Sequence, residues 1–324
     1  MTLKKKVYLL LGIVALVFSL VACSSGSSES SSGEPGGEAK EGELTKVGMT
    51  VMTLNNPYFV RFKEALEEQA EKHGFEAIVQ GADLDLAKQQ AQVETFIQQG
   101  VDVIFLNAVD SRGVAAAVQQ AKAANIPVIA VDVGADGEVN ATITSDNFEA
   151  GKLAGEYVVE KLNGEGNVVL VNGTPITAIF DRIDGFKAAL EGTDVKIITD
   201  QNGELDRDKS FSVMENILSS HSKGEIDAVF GVNDPTTIGA YLAAQSAGRD
   251  DFFFVSVDGS EEAVNFIKES DQFAQTSQQF PGKEIEKAVE IAKQILKGEE
   301  VEEEILVPVS SISDETVDTF VPEF

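Results

Sequence analysis

KVGMTVMTLNNPYF, residues 46–59, holds a strand, a turn and the start of a helix within fourteen residues. Val47, Met49, Val51, Met52 and Leu54 form an apolar run of the length a buried strand needs. Asn56-Pro57 then supplies a capping side chain followed by proline at the first helical position, which predicts a helix from about Pro57. Its first turn carries Tyr58 and Phe59 beside Asn55 and Asn56, at the carboxyl end of what would be the first strand of a parallel sheet. Open α/β sheets bind their ligands at that edge. Taken alone, two aromatics at a helix start read equally well as core residues.

Working outward, the same unit recurs. The first helix ends near His73-Gly74, with glycine at the usual capping position, and apolar runs at 77–79, 101–106 and 126–131 alternate with helical stretches at 84–99 and 113–124. A second series has strands at 168–171, 195–198, 228–232 and 252–257, separated by helices at 178–190, 206–220 and 236–247. Helices at 261–269 and 283–297 and a last strand near 304–309 follow. Strands alternating with helices of this length imply right-handed crossovers and parallel sheets. The chain therefore reads as α/β, with two doubly wound parallel-sheet lobes and a boundary around 144–147.

The strands empty into a common vocabulary. In the first series the runs end in Asn56, Asn107 and Asp132; in the second they end in Asn172, Asp200, Asn233 with Asp234, and Asp258. Asn and Asp are also preferred helix caps, so each residue alone has a capping reading. Parallel strands nevertheless deliver the whole set to one edge of each sheet. If the two edges face one another, the cleft between them holds short hydrogen-bonding groups and aromatics, which suits a neutral polyhydroxylated ligand. A phosphate would call for a glycine-rich loop or clustered cations, and the sequence has neither.

Catalysis finds little support. The chain has two histidines, His73 and His221, both at predicted helix ends, and no G-x-S-x-G turn. Asp132 and Asp258 could pair as in a glycosidase, but sequence fixes neither their separation nor their protonation. The acidic doublets at 83–85 and 206–208 lack the glycine and distal glutamate of a calcium loop and read as helix caps. No catalytic residue, metal ligand or cofactor is assigned.

The first forty-five residues carry a different message. Lys4, Lys5 and Lys6 precede an apolar run of 14 residues at 7–20, and Leu20-Val21-Ala22-Cys23 follows, so 1–22 reads as a secretory signal. LVAC resembles the bacterial lipobox, whose cysteine is diacylated. Cys23 is the single cysteine of the chain, and a lipid on it would anchor the protein to the extracellular face of the cell membrane. Residues 24–43 are almost wholly Ser, Gly and Glu, a composition that predicts a disordered tether with an average reach of roughly 25 Å. Without residues 1–22, which hold three lysines, 22 basic groups face 54 acidic ones. That balance argues against nucleic acid and other polyanionic partners.

From about 45 to 309 the chain resembles the type I periplasmic sugar-binding proteins of ABC importers, most closely their ribose-binding branch. The likeness is carried by TLNNPYF at 53–59, FLNAVDS at 105–111, IPVIAVD at 126–132, SDNFEAGKLAGEY at 145–157, DRIDGF at 181–186, VNDPTTIGA at 232–240 and VDG at 257–259. It implies two lobes joined by a three-strand hinge, with crossings near Ser145, Phe280 and Pro308. The domains would be a signal at 1–22, a lipidated cysteine and tether at 23–44, a first lobe at 45–145 plus 281–308, and a second at 146–280 plus 309–324.

By the same resemblance Asn56, Tyr58 and Phe59 contact a sugar from the first lobe, with the aromatics on its faces, and Asn107 and Asp132 bond hydroxyls. Arg182, Asn233 and Asp258 do so from the second lobe and Gln279 from the hinge. Three positions depart from the ribose pattern: Val133 stands where it has arginine, Leu205 where it has phenylalanine, and Met52 where it has a small hydroxyl residue. The expected ligand is accordingly a monosaccharide or similar small polyol, with ribose, fructose, a furanose, inositol or a signalling furanone as candidates. The implied partner is an ABC permease that recognises the closed, monomeric protein. A sensor for a membrane receptor is the alternative. The effector half of a transcription repressor shares the architecture, but a signal and an acidic tether occupy the place of its DNA-binding head.

Overall fold

The computed structural model describes residues 42–324; the expected signal, Cys23 and nearly all of the tether lie outside them. β1 (Lys46–Val51), buried over five of its six residues, pairs in parallel with β2 (Glu76–Gly81) on one side and β3 (Val103–Leu106) on the other. α1 (Pro57–His73) starts where Asn56 accepts the Tyr58 amide and stops at Gly74, whose φ of 75° turns its N–H back to the Ala70 carbonyl. α2 (Leu86–Gln99), α3 (Ala115–Ala123), β4 (Val128–Val131) and β5 (Ala141–Ser145) complete the first series.

The second series runs α4 (Asn147–Lys161), β6 (Glu165–Asn172), α5 (Thr177–Leu190), β7 (Asp194–Asn202), α6 (Arg207–Ser220), β8 (Ala228–Gly231), α7 (Asp234–Ser246), β9 (Phe253–Asp258), α8 (Glu261–Glu269) and β10 (Phe273–Gln278). The chain then returns through α9 (Pro281–Leu296), which packs on α1, β4 and β5, to β11 (Glu304–Val307), and ends with β12 (Ser310–Ser313).

Two sheets of six strands result, ordered β11-β5-β4-β3-β1-β2 and β12-β10-β9-β8-β6-β7. The two orders are the same pattern used twice. Every pairing is parallel except β10 with β12. The chain passes between the sheets three times: from β5 into α4, from β10 into α9, and from β11 into β12. Large buried rings fill each lobe, with Phe62, Phe96 and Phe105 in the first and Phe186 stacked on Phe230 at 4.3 Å in the second. Each such ring contributes about 1.5–3 kcal/mol by leaving water.

Three features differ from the sequence reading. The strand expected at 304–309 stops at Val307, and a further strand that the sequence reading lacked, β12, follows in the other sheet, because Pro308 has no N–H to continue a ladder and the chain crosses there. β7 runs on to Asn202, so Asp200 is an exposed residue inside an edge strand and not a group at a strand end. β5 and β10 carry no continuous apolar run, yet β10 is buried throughout. Its hydroxyls are paired within the protein, Thr276 Oγ1 donating to Asp234 at 2.9 Å and Ser277 Oγ to the Ala150 carbonyl at 2.7 Å, while Gln275 Oε1 and Gln278 Oε1 are buried without a partner among the described residues.

Candidate functional site

A cavity of about 510 Å³ lies where the carboxyl ends of strands from both sheets meet. That size falls within the roughly 300–1,000 Å³ of small-molecule sites. Of the nine ligand positions expected from sequence, Asn56, Tyr58, Phe59, Asp132, Arg182, Asn233, Asp258 and Gln279 line it.

Asn107 stands one layer behind. Its Oδ1 accepts the Met52 amide, and its Nδ2 donates to the Val131 carbonyl at 3.2 Å and to Asp132 Oδ2 at 2.9 Å. The whole amide is spent on holding Asp132 and the end of β1.

The capping and binding readings of the asparagines turn out to use different atoms. Asn56 caps α1 and Asn233 caps α7, each by accepting a backbone amide on Oδ1 at 3.0 Å. Neither Nδ2 makes a hydrogen bond among the described residues, which leaves two NH2 groups, four N–H donors, at the cavity wall.

Arg182, one turn into α5 and 5% exposed, organises the second lobe's share. Nε donates to Asn147 Oδ1 at 2.8 Å, Nη1 to the Val232 carbonyl at 2.8 Å and to Asp258 Oδ1 at 3.3 Å, and Nη2 to Gln279 Oε1 at 2.7 Å. Four of its five N–H groups are thus engaged and one remains. Its ion pair is with Asp258 and not with Asp132. Asn147, absent from the sequence reading, ties this fan to the hinge by also accepting from Gln279 Nε2 at 3.2 Å.

Both cavity carboxylates sit on unusual backbone. Asp132 has φ 64°, with the Val133 amide closing back on the Val131 carbonyl at 2.7 Å, and Asp258 has φ 132°. The second value is a strained one for a residue with a side chain, and such strain gathers at ligand clamps. Asp234 holds that turn in place. Its buried carboxylate accepts from Ser256, Thr276 and both the amide and hydroxyl of Ser260, and its own amide donates to Asp258 Oδ2 at 3.2 Å.

Burial pushes Asp258 well above the usual carboxylate range, while Arg182 pulls it back. Burial likewise lifts Asp132 to about 6, against the opposing pull of Arg182, Asn107 and Tyr58.

The walls are mixed. Tyr58 packs edge-on to Phe59 at 5.6 Å and edge-on to Phe324 at 5.4 Å, so its ring is gripped on two sides. Opposite lie Ile176, Ile179 and Leu205, an aliphatic wall that the strand-end pattern gave no hint of. The two lobes also contribute matching turns. Asp83-Leu84 and Glu204-Leu205 each have two consecutive left-handed residues before a capping aspartate, and each presents its leucine to the cavity. The acidic doublets therefore do cap helices: Asp85 accepts the Lys88 amide and Asp206 the Lys209 amide. Among the described residues no group of three or more His, Cys, Asp or Glu is arranged to hold a metal ion, and no helix is long and apolar enough to cross a membrane.

Comparison with known proteins agrees with this geometry. Residues 47–300 match a periplasmic binding protein domain. The chain is 35% identical to the ribose import binding protein of Bacillus subtilis over 277 residues, 85% of this chain and 89% of that one. Among solved structures it is similar to an ABC transporter solute-binding protein from Bacillus halodurans with bound myo-inositol, at a TM-score of 0.79 and 29% identity over 87% of this chain and 98% of that one. It is also similar to the binding component of a Shewanella arabinose ABC transporter bound to L-arabinofuranose, at a TM-score of 0.80 and 28% identity over 85% of this chain and 94% of that one.

Proposed function

Because the chain belongs to the periplasmic binding protein type I family, among its ribose-binding-protein-like sugar binders, we propose that it captures a monosaccharide or small polyol outside the cytoplasm and delivers it to an ABC permease. The observation that carries the reading is the cavity's inventory. Two carboxylates and one guanidinium N–H converge with two free amide NH2 groups, and Tyr58 and Phe59 line the cavity with aromatic carbon suited to the C–H surface of a sugar. Each hydroxyl of such a ligand is both donor and acceptor, so carboxylates and amides can be satisfied in pairs. Asn56, Tyr58, Phe59 and Asp132 act from one sheet, Arg182, Asn233 and Asp258 from the other, and Gln279 from the hinge. Asn107 contributes by orienting Asp132. A ligand bonded to both sides favours the closed arrangement by its differential contacts.

Leu205 replaces an aromatic wall with an aliphatic one, which supports a search wider than ribose. In a thermal-shift screen of D-ribose, D-fructose, L-arabinose, xylitol and myo-inositol, at least one should raise the unfolding temperature. At a hundred times its dissociation constant it adds about 2.7 kcal/mol. No shift with any of them at millimolar concentration would sink the sugar reading.

The route to the membrane is part of the same proposal, with residues 1–22 as signal, Cys23 as the acylated residue and the acidic segment after it as tether. Cys23→Ser should move the protein from the membrane fraction to the medium, since the acyl chains supply the anchoring free energy. Unchanged fractionation of the variant would remove the lipid from the account.

A further inference from the structure

Glu284 is the buried acid that the proposed role of the cleft does not use. It lies in the first turn of α9, just past the second hinge crossing, with 0% of its surface exposed. Its two oxygens are treated unequally. Oε1 accepts from Tyr58 Oη at 3.0 Å and from the hydroxyl of Ser145, the last residue of β5 at the first crossing. Oε2 is buried without a partner. One oxygen taking two hydroxyl donors while the other takes none is the arrangement of a carbonyl beside an acid hydroxyl. An ionised carboxylate would leave a buried oxygen carrying charge with nothing to stabilise it.

The surroundings favour the neutral form as well. The charged and titratable groups facing Glu284 are Tyr58 on α1, Asp132 after β4, and Arg182 on α5, whose guanidinium is committed to Asp258. Burial pushes Glu284 well above the usual carboxylate range and Asp132 adds to this, against weaker pulls from Ser145, Tyr58 and Arg182.

We propose that Glu284 is a positioning residue, a neutral carboxylic acid that pins the Tyr58 hydroxyl and leaves Asp132 the single anion in the first lobe's corner of the cleft. The inference rests on the sugar-binding reading and deepens it. Tyr58 has one hydroxyl proton, and it is drawn towards both Glu284 and Asp132. With Glu284 neutral, the anionic lone pairs of Asp132 stay available to ligand hydroxyls. Once Glu284 ionises, two buried anions compete for that proton and repel each other across Tyr58, and the corner no longer holds its shape. Binding therefore has limits on both sides. The acid limb follows protonation of Asp132, and the alkaline limb follows ionisation of Glu284.

The test is the affinity of the full-length protein for whichever of D-ribose, D-fructose, L-arabinose, xylitol and myo-inositol it binds, measured by calorimetry from pH 5 to pH 9.5. Wild type should lose about tenfold between pH 7 and pH 5, as a group near 6 becomes protonated, and should lose affinity again on the alkaline side as Glu284 ionises. Glu284→Gln keeps size and neutrality; it should keep the acid limb and lose the alkaline one. Ser145→Ala removes a donor that favours the ionised form, so it should move the alkaline limb to higher pH, and it tests the idea without touching Glu284. An unchanged alkaline limb in both variants would overturn the proposal.

If wild type binds none of the five, the sugar reading fails separately, and Glu284 is read from the ligand-free unfolding temperature. A carboxyl raised by folding contributes stability below its unfolded value and loses it as pH rises through the folded one. Wild type should thus decline on the alkaline side more steeply than Glu284→Gln, and parallel curves would again overturn it.

Discussion

Arg182→Met is expected to abolish measurable sugar binding, by at least about a hundredfold, and to lower the unfolding free energy by about 3–5 kcal/mol. Methionine spans a similar length without charge, so the packing of α5 is largely kept and the loss is one of donors. Four acceptors depend on this guanidinium: Asn147 Oδ1, the Val232 carbonyl, Asp258 Oδ1 and Gln279 Oε1. All four belong to buried residues of the second lobe or the hinge; Asn147 Oδ1 keeps the Gln279 amide, and each acceptor left unpaired costs about 1–3 kcal/mol.

Asp258 responds in a second way. Burial already drives it towards the neutral acid, and Arg182 is the main force opposing that drive. Without the guanidinium it holds its proton at neutral pH, which spares the fold a lone buried anion but removes the charge-assisted bond to the ligand. Binding loses the free N–H of Arg182 and the anionic acceptor together, each worth about 1.5–3 kcal/mol when charged. Calorimetry and urea denaturation read the two effects separately. Affinity within tenfold of wild type would mean that Arg182 is a structural strut and that the ligand sits elsewhere in the cavity.

The parts of this molecule legible in its sequence are those whose cause is local. Asn56, Pro57 and Gly74 mark both ends of α1 because a cap, a fixed φ and a left-handed residue act within one turn of the chain. The alternation of apolar runs with amphipathic segments showed the two doubly wound lobes for the same reason. β10 escaped notice because its burial is sustained by partners far along the chain: Asp234 for Thr276, and the Ala150 carbonyl for Ser277.

Glu284 was hidden in the same way. In the sequence EIEKAVEIAKQ it is one acid among several on a charged helix, and only the fold brings Tyr58 and Ser145 to it. The strand-end rule was informative about placement and silent about side-chain direction. It brought Asn107 to the right edge of the sheet, yet could not tell that the amide would turn back to Met52 and Asp132.

Gly151→Ala should weaken both folding and sugar binding, although Gly151 does not line the cavity. α4 and α5 approach so closely there that a methyl group on Gly151 would lie 1.8 Å from the Arg182 carbonyl oxygen. One turn along the seam, a methyl on Gly185 would lie 1.9 Å from the Phe148 carbonyl oxygen. In both cases the obstacle is backbone, which cannot rotate out of the way as a side chain could. The helices must separate by more than about an ångström, at a cost of about 1–3 kcal/mol.

That separation moves the backbone of Arg182 itself, and hydrogen bonds of 2.7–2.8 Å to Asn147, Val232 and Gln279 do not survive it unchanged. A loss of about tenfold or more in sugar affinity should accompany the loss of stability. Gly134→Ala provides the control, because a methyl there meets only Thr177 Oγ1 at 3.7 Å and should leave stability within about 0.5 kcal/mol. The double variant Gly151→Ala/Gly185→Ala sharpens the test, since one displacement of α4 from α5 relieves both collisions. Its destabilisation should fall well short of the sum of the single variants. Full additivity, or a Gly151→Ala protein that unfolds at the wild-type denaturant concentration, would show that the seam yields locally and that Arg182 is positioned by its hydrogen bonds alone.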